Sequence, residues 1–112
     1  MKTSELTRAA LNWAVAEALG GKIPQGTGTL PNQWAWYEKF APSTNWSHGG
    51  PIIERCGIAT ARVKAIKSWH WTAGFSLPSK NPSYGNTPLI AAMRCYVASK
   101  LGEEVEIPEE LK

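Results

Sequence analysis

Thr87-Pro88-Leu89-Ile90-Ala91-Ala92-Met93-Arg94-Cys95-Tyr96-Val97-Ala98-Ser99-Lys100-Leu101-Gly102 is the stretch that decides the fold. Threonine followed by proline is the opening of a helix: the hydroxyl accepts from an unpaired N–H of the first turn, and proline has no N–H to lose there. Leu89, Ala92, Met93, Tyr96 and Val97 then recur at helical spacing, so this face packs into a core. Lys100 suits the negative end of the helix dipole, and Gly102 stands where a helix stops. Arg94 interrupts the apolar middle. Such an arginine either lies on the solvent side, the commoner arrangement, or reaches into a pocket.

Working outward, a second helix is predicted from Thr3 or Ser4 as N-cap to Leu19, with Glu5 in its first turn and Gly20-Gly21 ending it. Leu6, Ala10, Trp13 and Ala14 form one apolar stripe and Leu11, Val15, Ala18 and Leu19 another, so packing on two sides is expected. Residues 20–33 and 76–87 are rich in Gly, Pro and Asn and read as loops. Trp34 to Phe40 fits a short strand or a single helical turn. Ile58 to Phe75 mixes β-branched and aromatic residues in partial alternation and reads as a hairpin or two short strands. Ile52 to Gly57 reads as a short helix, with Pro51 at its first position and Gly57 as its stop. The expected fold class is α+β: two main helices packed on a small antiparallel sheet, with long Gly/Pro-rich loops. Residues 1–102 form the predicted ligand-binding domain and 103–112 an acidic C-terminal tail. Val105 to Pro108 would add an edge strand or an extended arm.

Six of the 112 residues are Trp, and Trp34/Trp36 and Trp69/Trp71 stand in two alternating pairs. Each Trp buries about 150–250 Å² and needs a partner for its indole N–H, so six are more than packing alone asks of a small domain. Any one of them is more often core than contact surface; the group is what suggests a binding site. Strand alternation would put Trp69 and Trp71 on one face and His70 on the other. The net charge of +3 hides an asymmetry, because five of the nine acids lie in the last ten residues. Residues 1–102 carry eleven Lys and Arg against four Glu, a balance of +7 that suits an anionic ligand.

The segment Pro42 to Pro51 is the first candidate site. Two glycines before a predicted helix at Pro51 would expose backbone N–H groups at the positive end of a dipole, a common way to hold phosphate, although the same sequence is also ordinary loop chemistry. The residues expected to contact a ligand are Trp46, His48, Gly49, Gly50 and Arg55, with Trp36, Trp71, Tyr84 and Arg94 behind them.

Catalysis is not expected. The chain has no Asp, and outside the tail its only carboxylates are Glu5, Glu17, Glu38 and Glu54, too few for paired-carboxylate or Mg²⁺-dependent chemistry. His48, His70, Cys56 and Cys95 show no metal-ligand spacing and no nucleophile motif, so neither a metal nor another cofactor is predicted. The two cysteines read as small hydrophobes in a reducing compartment. No apolar run approaches the ~20 residues of a membrane span, and the first residues lead into an amphipathic helix instead of a signal-peptide core.

Pro42-Ser43-Thr44-Asn45-Trp46, then Gly49-Gly50-Pro51-Ile52-Ile53-Glu54-Arg55, and the run from Thr87 through Val105 resemble the small NinX-like proteins of lambdoid phages and prophages. The first helix fits as well; the stretch from Ile58 to Gly85 fits less closely. The chain departs from the family pattern at Asn45, where Asp is usual, and at Cys56, where a charged residue is usual. The resemblance implies a phage accessory protein in the cytoplasm of an infected or lysogenic bacterium. Combined with the stacking, phosphate-binding and arginine chemistry above, it leads to the expectation of a protein that sequesters a nucleotide-derived small molecule. A bacterial immune signal such as a cyclic ADP-ribose isomer or a cyclic dinucleotide is the kind of ligand meant. A homo-oligomer is expected, since sites of this kind are often shared between subunits, and no membrane association. The alternative is a single-stranded nucleic-acid-binding protein of phage recombination or replication, with the same aromatics as stacking platforms. Inhibition of a host protein through an aromatic patch is a third possibility.

Overall fold

The structure is a computed structural model that describes residues 1–20, 40–64, 69–76, 80–107 and 109. It is an α+β fold: among the described residues, three α-helices surround or abut a three-stranded antiparallel sheet. The helices are α1 (Arg8–Ala18), α2 (Trp46–Cys56) and α3 (Pro88–Leu101), and the strands β1 (Ala59–Lys64), β2 (Trp69–Gly74) and β3 (Ser83–Gly85). A 3₁₀ turn, Thr3–Glu5, precedes α1.

Helix α3 begins as its sequence predicts. The Thr87 Oγ1 accepts from the Ile90 N–H at 3.1 Å and Pro88 fills the first position. The helix ends at Gly102, whose φ of +89° a side chain would resist. Its burial extends beyond one stripe: Leu89, Ala91, Ala92, Met93, Cys95, Tyr96 and Val97 are all buried. The helix touches all three strands, both other α-helices and the N-terminal turn. Small residues at 91 and 92 let neighbours approach closely on the sheet side. A Cβ on Gly85 of β3 would lie 2.7 Å from the Ala91 nitrogen, so that strand end tolerates no side chain facing the helix.

The sheet is a meander in the order β1-β2-β3. Its register pairs Arg62 with Trp71 and Val63 with His70 across the first hairpin, and Thr72 with Tyr84 across the second. Residues directly opposite share a face, so Trp71, Ala73 and Gly85 lie on the side facing α3, and His70, Thr72 and Tyr84 on the other. Strand β3 falls within the stretch 76–87 that reads as loop. Three residues are too few to display alternation, and pairing with β2 is what makes them a strand.

Helix α1 starts at Arg8, with Thr7 as N-cap, three or four residues later than its sequence suggests. The reason is non-local. The Thr3 N–H donates to the Glu103 carbonyl at 2.8 Å, and the Thr3 hydroxyl to the Gly102 carbonyl at 2.6 Å. Lys2 and Glu104 form an antiparallel bridge, and the Val105 N–H donates to the Met1 carbonyl. Met1, Lys2 and Thr3 are thus committed to the C-terminal segment, and the turn that follows them closes as 3₁₀ before α1 can begin. By the same contacts the acidic segment from Glu103 to Ile107 is docked on the body, and Val105 and Ile107 are buried in the core.

Helix α2 also departs from expectation, in the opposite direction. It begins at Trp46 and not at Pro51, because the Asn45 side chain accepts from the Ser47 N–H at 2.9 Å and caps it there. Gly50 lacks the Cβ that would clash with Pro51, which is how a proline is accommodated inside the helix. Gly57, at φ +68°, stops the helix as predicted. The Ile58 N–H returns to the Ile53 carbonyl and the Gly57 N–H to the Glu54 carbonyl, while buried Ile58 provides the apolar closure of this terminal motif. The loop before α2 is fixed by buried Asn12 of α1, whose Oδ1 accepts from both the N–H and the hydroxyl of Ser43, at 3.0 and 2.7 Å. Residues 21–39, which include the predicted long loop and most of the Trp34 to Phe40 segment, lie outside the described residues; Phe40 itself is fully buried.

Asp accepts from a helix N–H as well as Asn does, so either residue can cap α2 at position 45. Asn45→Asp is therefore expected to leave stability unchanged within a few tenths of a kcal/mol, and Asn45→Ala to cost about 1 kcal/mol. Gly49→Ala is expected to cost more than either, because the new Cβ would stand 2.5 Å from the Pro42 carbonyl oxygen. Urea denaturation of the three variants checks the order.

Candidate functional site

The N-terminal turn, the segment before and within β3, and α3 enclose a cleft of about 690 Å³. Its walls carry Lys2, Lys80, Tyr84, Arg94, Glu103 and Glu104, and Ala98 leaves room on the helix floor. Such a volume falls within the range that holds drug-sized ligands and nucleotides.

Arg94 is the residue that builds the cleft. Strand β3 lies at the edge of the sheet, and the Tyr84 carbonyl points away from β2. Arg94 Nη1 donates to that carbonyl at 2.7 Å, and Arg94 Nε donates to the Leu6 carbonyl at 3.0 Å. One side chain thereby satisfies two backbone acceptors from segments far apart in sequence and holds the two walls at a set distance. Two donor sites of its planar fork remain on Nη2 and a third on Nη1. Burial lowers its pKa from the ordinary arginine value, yet an arginine stays charged under such a shift. Among the described residues no carboxylate pairs with it. A partly desolvated cation without a counter-ion, lining a cleft, is a seat for an anion.

Tyr84 lines the cleft where its carbonyl meets Arg94, and its ring lies with His70 on the sheet face turned away from α3. Its ring is 50% exposed, and the His70 ring meets it edge-on at 5.2 Å. The pairing limits the ring's rotation and leaves surface for stacking. Lys2 and Lys80 bring further positive charge, and the Met1 ammonium lies 3.7 Å from the Glu104 carboxylate.

Of the residues singled out in the sequence, Tyr84 and Arg94 come together here, and Arg94 takes the pocket orientation instead of the commoner solvent one. The leading group does not assemble around a single cavity. Gly49 and Gly50 lie inside α2, so they do not form the exposed helix N-terminus expected of them, and Gly49 packs tightly on Pro42 and Leu89. His48 accepts the Ala41 N–H at 2.9 Å through Nδ1 and packs its ring on Phe40, so it holds the turn before α2. Arg55 is exposed in the last turn of α2, nine residues and roughly 13 Å of helix rise from Trp46. Trp46 is 56% exposed and borders a separate hollow of about 200 Å³ formed with Thr44, Thr87 and Leu89. Trp71 packs against the core from the helix-facing side of the sheet, and Trp36 lies outside the described residues. Lys2, Lys80 and Glu103 were not singled out beforehand. No local pattern marks them, because the cleft exists only once the two ends of the chain are bridged.

Cys56 and Cys95 are free thiols. Burial pushes the Cys95 pKa up, and the nearby Cys56 adds to the effect. Burial likewise raises that of Tyr96, again with a contribution from Cys56, while Arg55 works the other way.

The fold is that of a small α+β domain with a cleft at the junction of its N-terminal turn, β3 and α3. The family model described as Bacteriophage P22, NinX matches residues 2–100, and the chain belongs to that family. No curated protein matches the sequence. Among the described residues no helix is long and apolar enough to cross a membrane.

Arg94→Met, which keeps the stem and removes both carbonyl contacts, is expected to destabilise the fold by about 1–3 kcal/mol; equilibrium unfolding measures it. At pH 8 a thiol reagent is expected to label half-buried Cys56 first and Cys95 only on unfolding. Because the folded Cys95 pKa is raised, the unfolded chain loses this proton first. Stability from this group is full below the ordinary thiol pKa and falls as pH rises above it; Cys95→Ala should flatten that alkaline limb.

Proposed function

We propose that this phage protein binds a nucleotide-derived small molecule in the cleft between the N-terminal turn, β3 and α3, and acts by sequestering it, without catalysis, inside the host bacterium. The observation that carries this reading is the partly buried Arg94, without a carboxylate partner among the described residues, lining the cleft, with the exposed Tyr84 ring on the sheet face beside it. Phosphate on a guanidinium and a base on an aromatic ring are the two contacts a nucleotide needs most. Lys2 and Lys80 at the rim favour capture of an anion. Cyclic ADP-ribose isomers and cyclic dinucleotides used as bacterial immune signals are ligands of this chemistry, and withholding one would be an anti-defence function.

The sheet register supports one small ligand over a single-stranded nucleic acid. Arg62 stands opposite Trp71, on the face turned toward α3, while Tyr84 and His70 occupy the other face. A strand-binding groove needs stacking rings and backbone-neutralising cations along one track, and among the described residues the sheet face that carries Tyr84 and His70 does not carry Arg62.

Native mass spectrometry of the protein purified from bacteria with an active nucleotide-signalling defence tests the proposal and reports the number of subunits. A stoichiometric nucleotide is expected, released by heat and lost in Tyr84→Ala and Lys80→Glu proteins that still melt cooperatively. Affinity is expected to fall by less than tenfold between 50 and 200 mM salt, whereas a groove making six or more phosphate contacts loses about 10³ or more. An empty protein that instead shifts single-stranded DNA at low salt overturns the reading.

A further inference from the structure

The cleft has chemically different ends. Arg94 and Ala98 lie one turn apart on α3, and the helix runs on to Gly102, after which Glu103 turns into the same cavity. Eight residues separate Arg94 from Gly102, roughly 12 Å of helix rise. A cation thus marks one end of the floor and a carboxylate the other, with the small Ala98 between them. The span is comparable to that of a nucleoside monophosphate from its phosphate to the far edge of its base. The Glu103 backbone is tied down, its carbonyl accepting the Thr3 N–H at 2.8 Å. Among the described residues its carboxylate makes no ion pair, whereas that of Glu104 faces the Met1 ammonium.

We infer that Glu103 reads the base and selects guanine over adenine. This rests on the cleft being the nucleotide site proposed above. A carboxylate only accepts hydrogen bonds. Guanine presents two adjacent donors, N1–H and the 2-amino group, which match the two carboxylate oxygens side by side. Adenine presents its 6-amino group beside the N1 lone pair, so one carboxylate oxygen faces a lone pair. With phosphate at Arg94, the far edge of a base lying along this floor is the end directed at Glu103. Of the ligand types named above, this favours a guanine-containing cyclic dinucleotide over an adenine-only signal.

The test is isothermal titration calorimetry of the full chain with 5′-GMP, 5′-IMP and 5′-AMP at one salt concentration. GMP is expected to bind at least tenfold more tightly than AMP, with IMP, which keeps N1–H but lacks the 2-amino group, in between. Glu103→Gln should bring GMP to within threefold of AMP, because the Gln amide can donate to adenine N1 and accept from its 6-amino group, while leaving the melting temperature unchanged. Equal binding of GMP and AMP, both weakened by Lys80→Glu, overturns the role of Glu103 and leaves the cleft reading standing. A preference for GMP that survives Glu103→Gln also overturns that role. Absence of binding by all three at millimolar concentration overturns both.

Discussion

The rest of the structure depends on the burial of α3. Seven of its residues are buried, on more than one side, and all three strands, both other α-helices and the N-terminal turn touch it. A helix enclosed in this way needs covering from several directions, and in a chain of 112 residues that requires every element to take part. The sheet covers one side and α1 and α2 others, while residues 1–6 and 103–107 close the remaining flank by bridging to each other. Arg94 is polar within this apolar helix, and its position is tolerable because two carbonyls and the cleft surround its guanidinium.

That arrangement makes the candidate site a by-product of chain closure. The cleft walls come from the first four residues, from residues 80–84, and from the two residues after α3. None of these pieces encloses space alone. The two bonds of Arg94 set the separation of the walls, so the residue that supplies the positive seat also maintains the shape that makes it useful. Mutational effects at position 94 therefore mix stability with binding, whereas Tyr84, Lys80 and Glu103 report on binding more directly.

The tryptophans drew attention first, and their placement is mixed. Trp13 and Trp71 pack against the core, and Trp46 stands exposed beside its own hollow. Tyr84, a less conspicuous residue, meets Arg94 at the cleft through its carbonyl and keeps its ring exposed on the adjoining sheet face. The reason is topological: a ring is available for stacking when it lies on an uncovered sheet face, and covering depends on register and not on residue type.

What the sequence by itself determined is the local chemistry: the cap and proline that open α3, the glycines at 57 and 102 that stop two helices, the β-hairpin within Ile58 to Phe75, and the family likeness carried by the two long segments. Those features depend on contacts within a few residues, which spacing and residue type encode directly. Only the tertiary structure decided that α1 starts late, that Ser83–Gly85 becomes a strand, and that Arg94 turns inward. Each of those outcomes is set by a partner distant in sequence. The free energy of such contacts resides in pairs that no local pattern reveals.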